Sequence, residues 1–349
     1  MPPDEPNENQ AKMLFPIFVR EGSSRKRYKA GYIDRRGRVV VDPIYDHAYP
    51  FREGLASVRS NDLWSAINLR GEVVVPPVSA GPLAFTEGLT EYRVKGKVGV
   101  LDRQGHTVVA PLFKSISHFS GGLACFTSGE LYGFMDNNGR QVIPPFFEDA
   151  RAFSEGLAAV KSSGKWGYIS PTGAMAIEAR FDCAQSMAGP FRHGLARVAS
   201  DGKWGYIDRT GAFVILPQFE MAYEFREGIA DVQLQKRRGY IDTSGKLIVP
   251  ASFLWGKSFS EGLASVSVGS GKAHSSVAEA CEVGFIDRSG AFVLRPQFLA
   301  AGRFQGGVCL VETQKDIGYI NRSGEFVWKN GWVEFGDFDP LHLLPPAQS

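Results

Sequence analysis

A motif that returns every 34 residues constrains this chain more than anything else in it. The clearest copy is Gly202–Val232, GKWGYIDRTGAFVILPQFEMAYEFREGIADV. Aligned on its Gly-aromatic pair, the marker falls at Gly31, Ser65, Gly99, Gly133, Gly167, Gly205, Gly239, Gly284 and Gly318. A second marker, phenylalanine followed three residues later by glycine, falls at Phe51, Phe85, Phe119, Phe153, Phe191, Phe225, Phe259 and Phe304. The two markers drift together past two insertions, so these are true structural repeats, and repeats decide an architecture before any local reading does.

Each part of the motif has a physical reading. Two residues after the glycine marker stands an aliphatic side chain, as in Ile33, Ile169, Ile207 and Ile320, and between them an aromatic one, as in Tyr32, Tyr168, Tyr206 and Tyr319. Neighbours on a strand point to opposite faces, so this strand is apolar on both, as a strand between stacked sheets must be. Asp-x-x-Gly, as in Asp208–Gly211, predicts a hairpin turn, with Asp bonding the turn amides and Gly taking positive φ. A short second strand, Phe213–Leu216, is expected to stop at Pro217, which has no ladder donor. The spacing Phe219, Ala222, Phe225 suggests a helical turn or coiled loop, and Glu227-Gly228 turns the chain into a third strand, Ile229–Gln233.

Beyond these readings, the pattern W-G-Y-I-D-x-x-G-x-x-V-I-x-P-x-F followed by F-x-E-G-L-A resembles the WG repeat family, named for pairs such as Trp166-Gly167 and Trp204-Gly205. The resemblance covers roughly residues 14 to 328. It implies a bacterial, non-enzymatic, all-β repeat protein with no defined ligand. The tryptophan itself is kept only at Trp64, Trp166 and Trp204; Arg238 and others replace it.

The expected fold is therefore an all-β tandem repeat array of about nine three-stranded antiparallel units in a propeller-like stack, with an open curved solenoid as the alternative. Counted from the third strand, the array starts at Leu14–Arg20 and ends in the hairpin Gly318–Trp328. Residues 1–12 read as a disordered tail, 13–335 as the β array and 336–349 as a C-terminal tail. Trp332 and Phe335 suggest a cap. The basic cluster Arg25–Arg27 reads as a solvated turn, and the polar insertion near Gly269–Glu282 as a loop.

Composition narrows the function classes. A net charge of +2 argues against broad electrostatic binding to nucleic acid or to an anionic membrane. No apolar run approaches the ~20 residues that span a bilayer, and the acidic, polar start reads as cytoplasmic. Cys125, Cys183, Cys281 and Cys309 lie in different repeats, which fits reduced thiols. The six histidines show no metal-ligand spacing, and no nucleophile elbow or phosphate loop occurs, so no catalytic residues, metal or cofactor are expected. The series Glu53, Glu87, Glu155, Glu227, Glu261 reads as turn chemistry of each repeat. The arginines Arg35, Arg103, Arg209, Arg288 and Arg322 are expected to face solvent or pair with a neighbouring acid.

Residues that depart from their repeat position are the candidates for binding. Arg238 stands where tryptophan or an apolar residue is usual, beside Lys236 and Arg237. A buried unpaired charge is costly, so that edge is expected to be open to solvent. Trp255 occupies a connector position held elsewhere by His47, Met221 or Ala300. These four residues suit a protein partner. The expected function is a non-catalytic protein-binding or scaffold module, with a toxin-neutralising immunity protein or a cell-envelope glycan binder as alternatives.

Overall fold

The computed structural model describes residues 13–22, 28–127, 129–183, 187–268 and 282–331. The expected tails, the Arg25–Arg27 cluster, the insertion loop from 269 to 281, Cys281, Trp332 and Phe335 lie outside the described residues. The described residues are all-β and form nine small antiparallel sheets, in a propeller-like arrangement. In chain order the strands of sheets 1 to 9 span 14–45, 47–79, 89–113, 115–147, 149–181, 196–219, 221–253, 255–298 and 300–331. They group into two compact units: a terminal unit, Met1–Pro77 with Phe253–Gln348, and a middle unit, Val78–Ser252.

Sheet 7 shows how a repeat is built. Its order is Met221–Ala222, Ile229–Leu234, Arg237–Asp242, Leu247–Phe253. The third strand of one repeat thus pairs with the first strand of the next, so each sheet straddles two repeats. Six of the nine sheets have four strands rather than three. The fourth is a two-residue strand inside the connector, where Met221 pairs with Gln233 and Ala222 with Val232. The expected helical turn is therefore extended chain that opens the next sheet.

Pro217 does not end its strand, which runs on to Phe219. Trp204 opposes Phe219 and Tyr206 opposes Ile215, so three residues of one strand face five of the other. Pro217 sits in that bulge, where no ladder bond asks for its missing N–H. The bulge also explains the glycine marker. A Cβ on Gly205 would lie 2.5 Å from the Ile215 carbonyl oxygen and 2.7 Å from the Pro217 nitrogen. The backbone folds directly over the glycine, and no side chain fits beneath it.

The turn chemistry is as the sequence implies. Asp208 Oδ1 accepts from the Thr210 and Ala212 amides at 2.8 and 3.1 Å, and Gly211 takes φ of +85°. The doubly apolar strand is covered on both sides. Ile207 packs with Trp166, Tyr168 and Ile177 of sheet 5, and Tyr206 with Ala222, Phe225 and Val232 leading into sheet 7. The Tyr206 hydroxyl donates to the Tyr223 carbonyl at 2.8 Å, and Tyr32 donates to Tyr49 O at 2.7 Å in the same way.

In the terminal unit, sheet 1 packs against sheet 9. Phe15, Ile17 and Ile33 share a buried cluster with Leu310, Ile317 and Tyr319. The Tyr319 hydroxyl donates to Pro16 O at 2.9 Å, and Asn330 Nδ2 to Phe18 O at 3.1 Å. The first and last sheets of the array meet within the terminal unit.

Candidate functional site

The four residues singled out in the sequence fall in different compact units. Trp255 belongs to the terminal unit, and Lys236, Arg237 and Arg238 to the middle one. Trp255 lies in the two-residue strand Trp255–Gly256, opposite Ser267, and is half-buried. The Lys257 ammonium stands 5.3 Å from its ring centroid. Lys236 takes φ of +62° in a two-residue hairpin loop, and its amide donates to Glu220 at 2.9 Å. Arg237 begins the following strand and is half-buried.

Arg238 corrects the expectation of an edge open to solvent. Its side chain keeps only 12% of its exposure, and it pairs with Asp231, whose side chain keeps 3%, at 3.4 Å. Its Nη2 donates to the Tyr223 hydroxyl at 2.6 Å, and its guanidinium lies 4.4 Å from that ring's centroid. The charge is buried but not unpaired. Asp231, an acid at a position that holds Ser57, Cys125, Ala159 or Ser265 in other repeats and another acid, Glu91, in the third, is the compensating partner. A neighbouring cluster follows the same logic: Arg197 pairs with Glu224 at 3.1 Å and lies 4.8 Å from the Trp204 centroid. In the terminal unit Tyr49 and Trp64 hold the positions of Tyr223 and Arg238, with His47 and Arg59 beside them; the His47, Tyr49 and Trp64 rings are 5.1 to 5.3 Å apart. Burial and the nearby Arg59 push the His47 imidazole down to about 4. One set of positions on a constant frame is thus filled with different polar chemistry from sheet to sheet.

The glutamate series does more than shape its own turns. Glu87, Glu155 and Glu261 do take φ near +50°, as residues of a tight turn. Their carboxylates, however, reach the next sheet. The Gly121 and Gly122 amides donate to Glu87 at 2.7 and 2.9 Å, the Gly194 amide to Glu155 at 3.0 Å, and the Gly306 and Gly307 amides to Glu261 at 2.6 and 3.0 Å. Two arginines of the expected ladder act at the same turns. Arg209 donates to the Glu155 carbonyl, and Arg322 to the Glu261 carbonyl at 2.8 Å. They bind a neighbour's backbone rather than its acid.

Sequence reasoning missed one feature, the thirteenth residue after each glycine marker. It is Ile44, Val78, Leu112 and Phe146 in the first four repeats, then Arg180, Gln218, Ser252 and Gln297. Ile44 is 62% exposed in the terminal unit; in the middle unit Leu112 is 69% and Phe146 54% exposed, with Leu216 at 69% two residues earlier in its repeat. Among the described residues no group of three or more His, Cys, Asp or Glu side chains could hold a metal, and no helix is long and apolar enough to cross a membrane.

Among solved structures, the chain is similar in fold to a eukaryotic initiation factor, at 10% identity, covering 91% of this chain and 96% of that one with a TM-score of 0.63. Looser likenesses are to dihydro-heme d1 dehydrogenase NirN (13% identity, 92% and 73% of the two chains, TM-score 0.48) and to BamB from Moraxella catarrhalis (12%, 83% and 88%, 0.43). None of the curated proteins compared matches the chain. The WG containing repeat family matches at residues 31–64, 99–131, 132–166, 166–204, 204–236, 239–271 and 284–315, passing over the degenerate second repeat at 65–98. These matches span most of the array, and the chain belongs to the WG-repeat family.

Proposed function

We propose that this protein is a non-catalytic interaction module that binds another protein. The observation that carries the reading is the exposed apolar set in the middle unit. Leu112, Phe146 and Leu216 each present more than half of their surface to solvent on the last strand of their sheets. Scattered single apolar residues need no explanation. Here Leu112 and Phe146 hold the same place in successive repeats and Leu216 a nearby place two repeats on, which is how repeat proteins present extended binding surfaces. The buried ion pairs described above are consumed within the stack and support no chemistry of their own. Trp255 remains the candidate anchor in the terminal unit, and a cytoplasmic setting is part of the same proposal.

Capture of native partners on the immobilised protein, read by mass spectrometry, tests the reading. The expected result is a defined partner whose capture falls at least tenfold with Leu112→Glu and Phe146→Glu combined, about 1.4 kcal/mol or more. Melting should stay within about 2 °C of wild type, because both changes are on the surface. Equal capture by the wild type and the double variant would count against this surface, and Trp255→Ala then tests the terminal unit.

A further inference from the structure

The carboxylates that link successive sheets leave the Glu155–Gly156 turn without one. At the turn Gly121–Gly122 both amides point at Glu87, and at Gly306–Gly307 both point at Glu261. The equivalent turn of sheet 5 is Glu155–Gly156, bounded like the others by a reciprocal pair, here Ser154 and Leu157. The residue that should supply its carboxylate from sheet 4 is Gly121, which has no side chain. The amides of Glu155 and Gly156 donate to no acceptor among the described residues. Both residues are exposed, and a Cβ built on Gly121 meets nothing within 4 Å, so the space is open. The Glu155 carboxylate is engaged onward with Gly194. A cation stands beside the seat: Arg209 donates to the Glu155 carbonyl, and its Nη2 is 3.6 Å from where a Gly156 Cβ would lie.

We infer that the Glu155–Gly156 turn, with Arg209, is an open seat for a carboxylate carried by a protein partner, taking the place that Glu87 and Glu261 fill in their own repeats. Two backbone amides and a guanidinium form a small concave donor set of the kind that binds anions. The ligand class is read from the chain's own usage, since three equivalent turns are held by a carboxylate. The inference rests on the interaction-module reading only for the source of the carboxylate.

The test needs no partner. Acetate is titrated into the full protein while amide nitrogen and proton shifts are followed. The Glu155 and Gly156 amides should move along a saturating curve, while those of Gly122 and Gly307, already covered, stay still. Gly121→Glu should abolish the saturation by supplying the carboxylate from within. Its backbone is suited, since Gly121 has φ of +63° where Glu87 has +52°. Arg209→Ala should raise the half-saturating acetate concentration about threefold, the size of one exposed charge pair. Movement of Glu155 and Gly156 no larger than that of Gly122 would overturn the seat, and so would saturation persisting in folded Gly121→Glu protein. If that variant does not fold, an unchanged midpoint with Arg209→Ala overturns it. Success here together with failed partner capture would leave the seat standing and remove only its proposed source.

Discussion

Arg238 and His47 show what single residues can do at two positions of a constant frame. Arg238 looks in sequence like a solvent-facing anchor, but it neutralises Asp231, which is 2% exposed. Breaking a buried pair by reversing one partner leaves an uncompensated charge beside another of the same sign. Arg238→Glu is therefore expected to destabilise the protein by about 3 kcal/mol, while Arg238→Glu with Asp231→Arg recovers part of the loss. Equal denaturation midpoints for Arg238→Glu and wild type would remove the pair from the account. His47 is 6% exposed, set among the rings of Phe18, Tyr49 and Trp64 and paired across the sheet with Arg59. Its imidazole is held neutral, with its folded value pushed down to about 4 from an unfolded value near 6.5. The unfolded chain then binds more protons between those values, so stability is full above about pH 6.5 and is lost as pH falls towards 4. Between pH 7 and 4 the loss from this one group should be about 3 kcal/mol. Urea midpoints of wild type and His47→Gln, compared across pH 7 to 4, isolate it from the carboxylates. Parallel curves would refute the assignment.

The strand with its bulge is the element on which every repeat turns. Gly205→Ala should cost about 3 kcal/mol, the upper range for overpacking, because the atoms a Cβ would meet are backbone and cannot swing away. Gly202→Ala is the contrast: it has positive φ, +72°, which Gly205 does not, and nothing lies within 4 Å of its Cβ. A loss at Gly205 no larger than that of an exposed alanine substitution would mean that lack of space does not explain the marker. Much of this element was legible in the sequence. Alternation, Asp-x-x-Gly and the two-sided apolar strand each follow from rules that act within a few residues. What was not legible came from one misread residue. Pro217 breaks a regular ladder, so the strand was expected to end there. In a bulge the same missing donor costs nothing, and the strand continues. Everything after the proline was then assigned to a connector, including the position of Ile44, Leu112 and Phe146, whose exposed alternation on a last strand could otherwise have been read directly. The reach of Glu87, Glu155 and Glu261 was hidden for a different reason: a turn is local, whereas their acceptor role is set 34 to 46 residues away.

At the scale of the whole molecule, the repeat alone does not decide whether the ends of the array meet, because every copy carries the same local instructions. The decision rests on residues outside the repeat average. Phe15, Ile17 and Ile33 of sheet 1 meet Leu310, Ile317 and Tyr319 of sheet 9, and Pro16 takes the tyrosine hydroxyl that connector carbonyls take elsewhere. The hairpin turn of sheet 1 also sits on sheet 9: a Cβ on Gly37 would run into the Val327 carbonyl and lie 3.5 Å from Trp328. In the middle unit Gly211 sits on Ile177 and Gly245 on Ile215 in the corresponding way. Among the described residues no strand is exchanged between sheets 1 and 9. Their contact therefore depends on side-chain packing and a few hydrogen bonds, each worth about 1 kcal/mol. It should be the first interface in the terminal unit to loosen. Ile17 is 1% exposed, and Ile17→Ala removes its packing on Ile317 and Tyr319 without touching sheet 9 itself. Hydrogen exchange should then speed up in the strands Tyr28–Asp34 and Asp316–Ile320 together, by about tenfold or more, while Lys203–Ile207 in the middle unit keeps its protection. Tyr319→Phe, which deletes only the bond to Pro16, should give a smaller change of the same distribution. Faster exchange confined to sheet 1, with Asp316–Ile320 unchanged, would show that the last sheet does not lean on the first and that the array is held together without this contact.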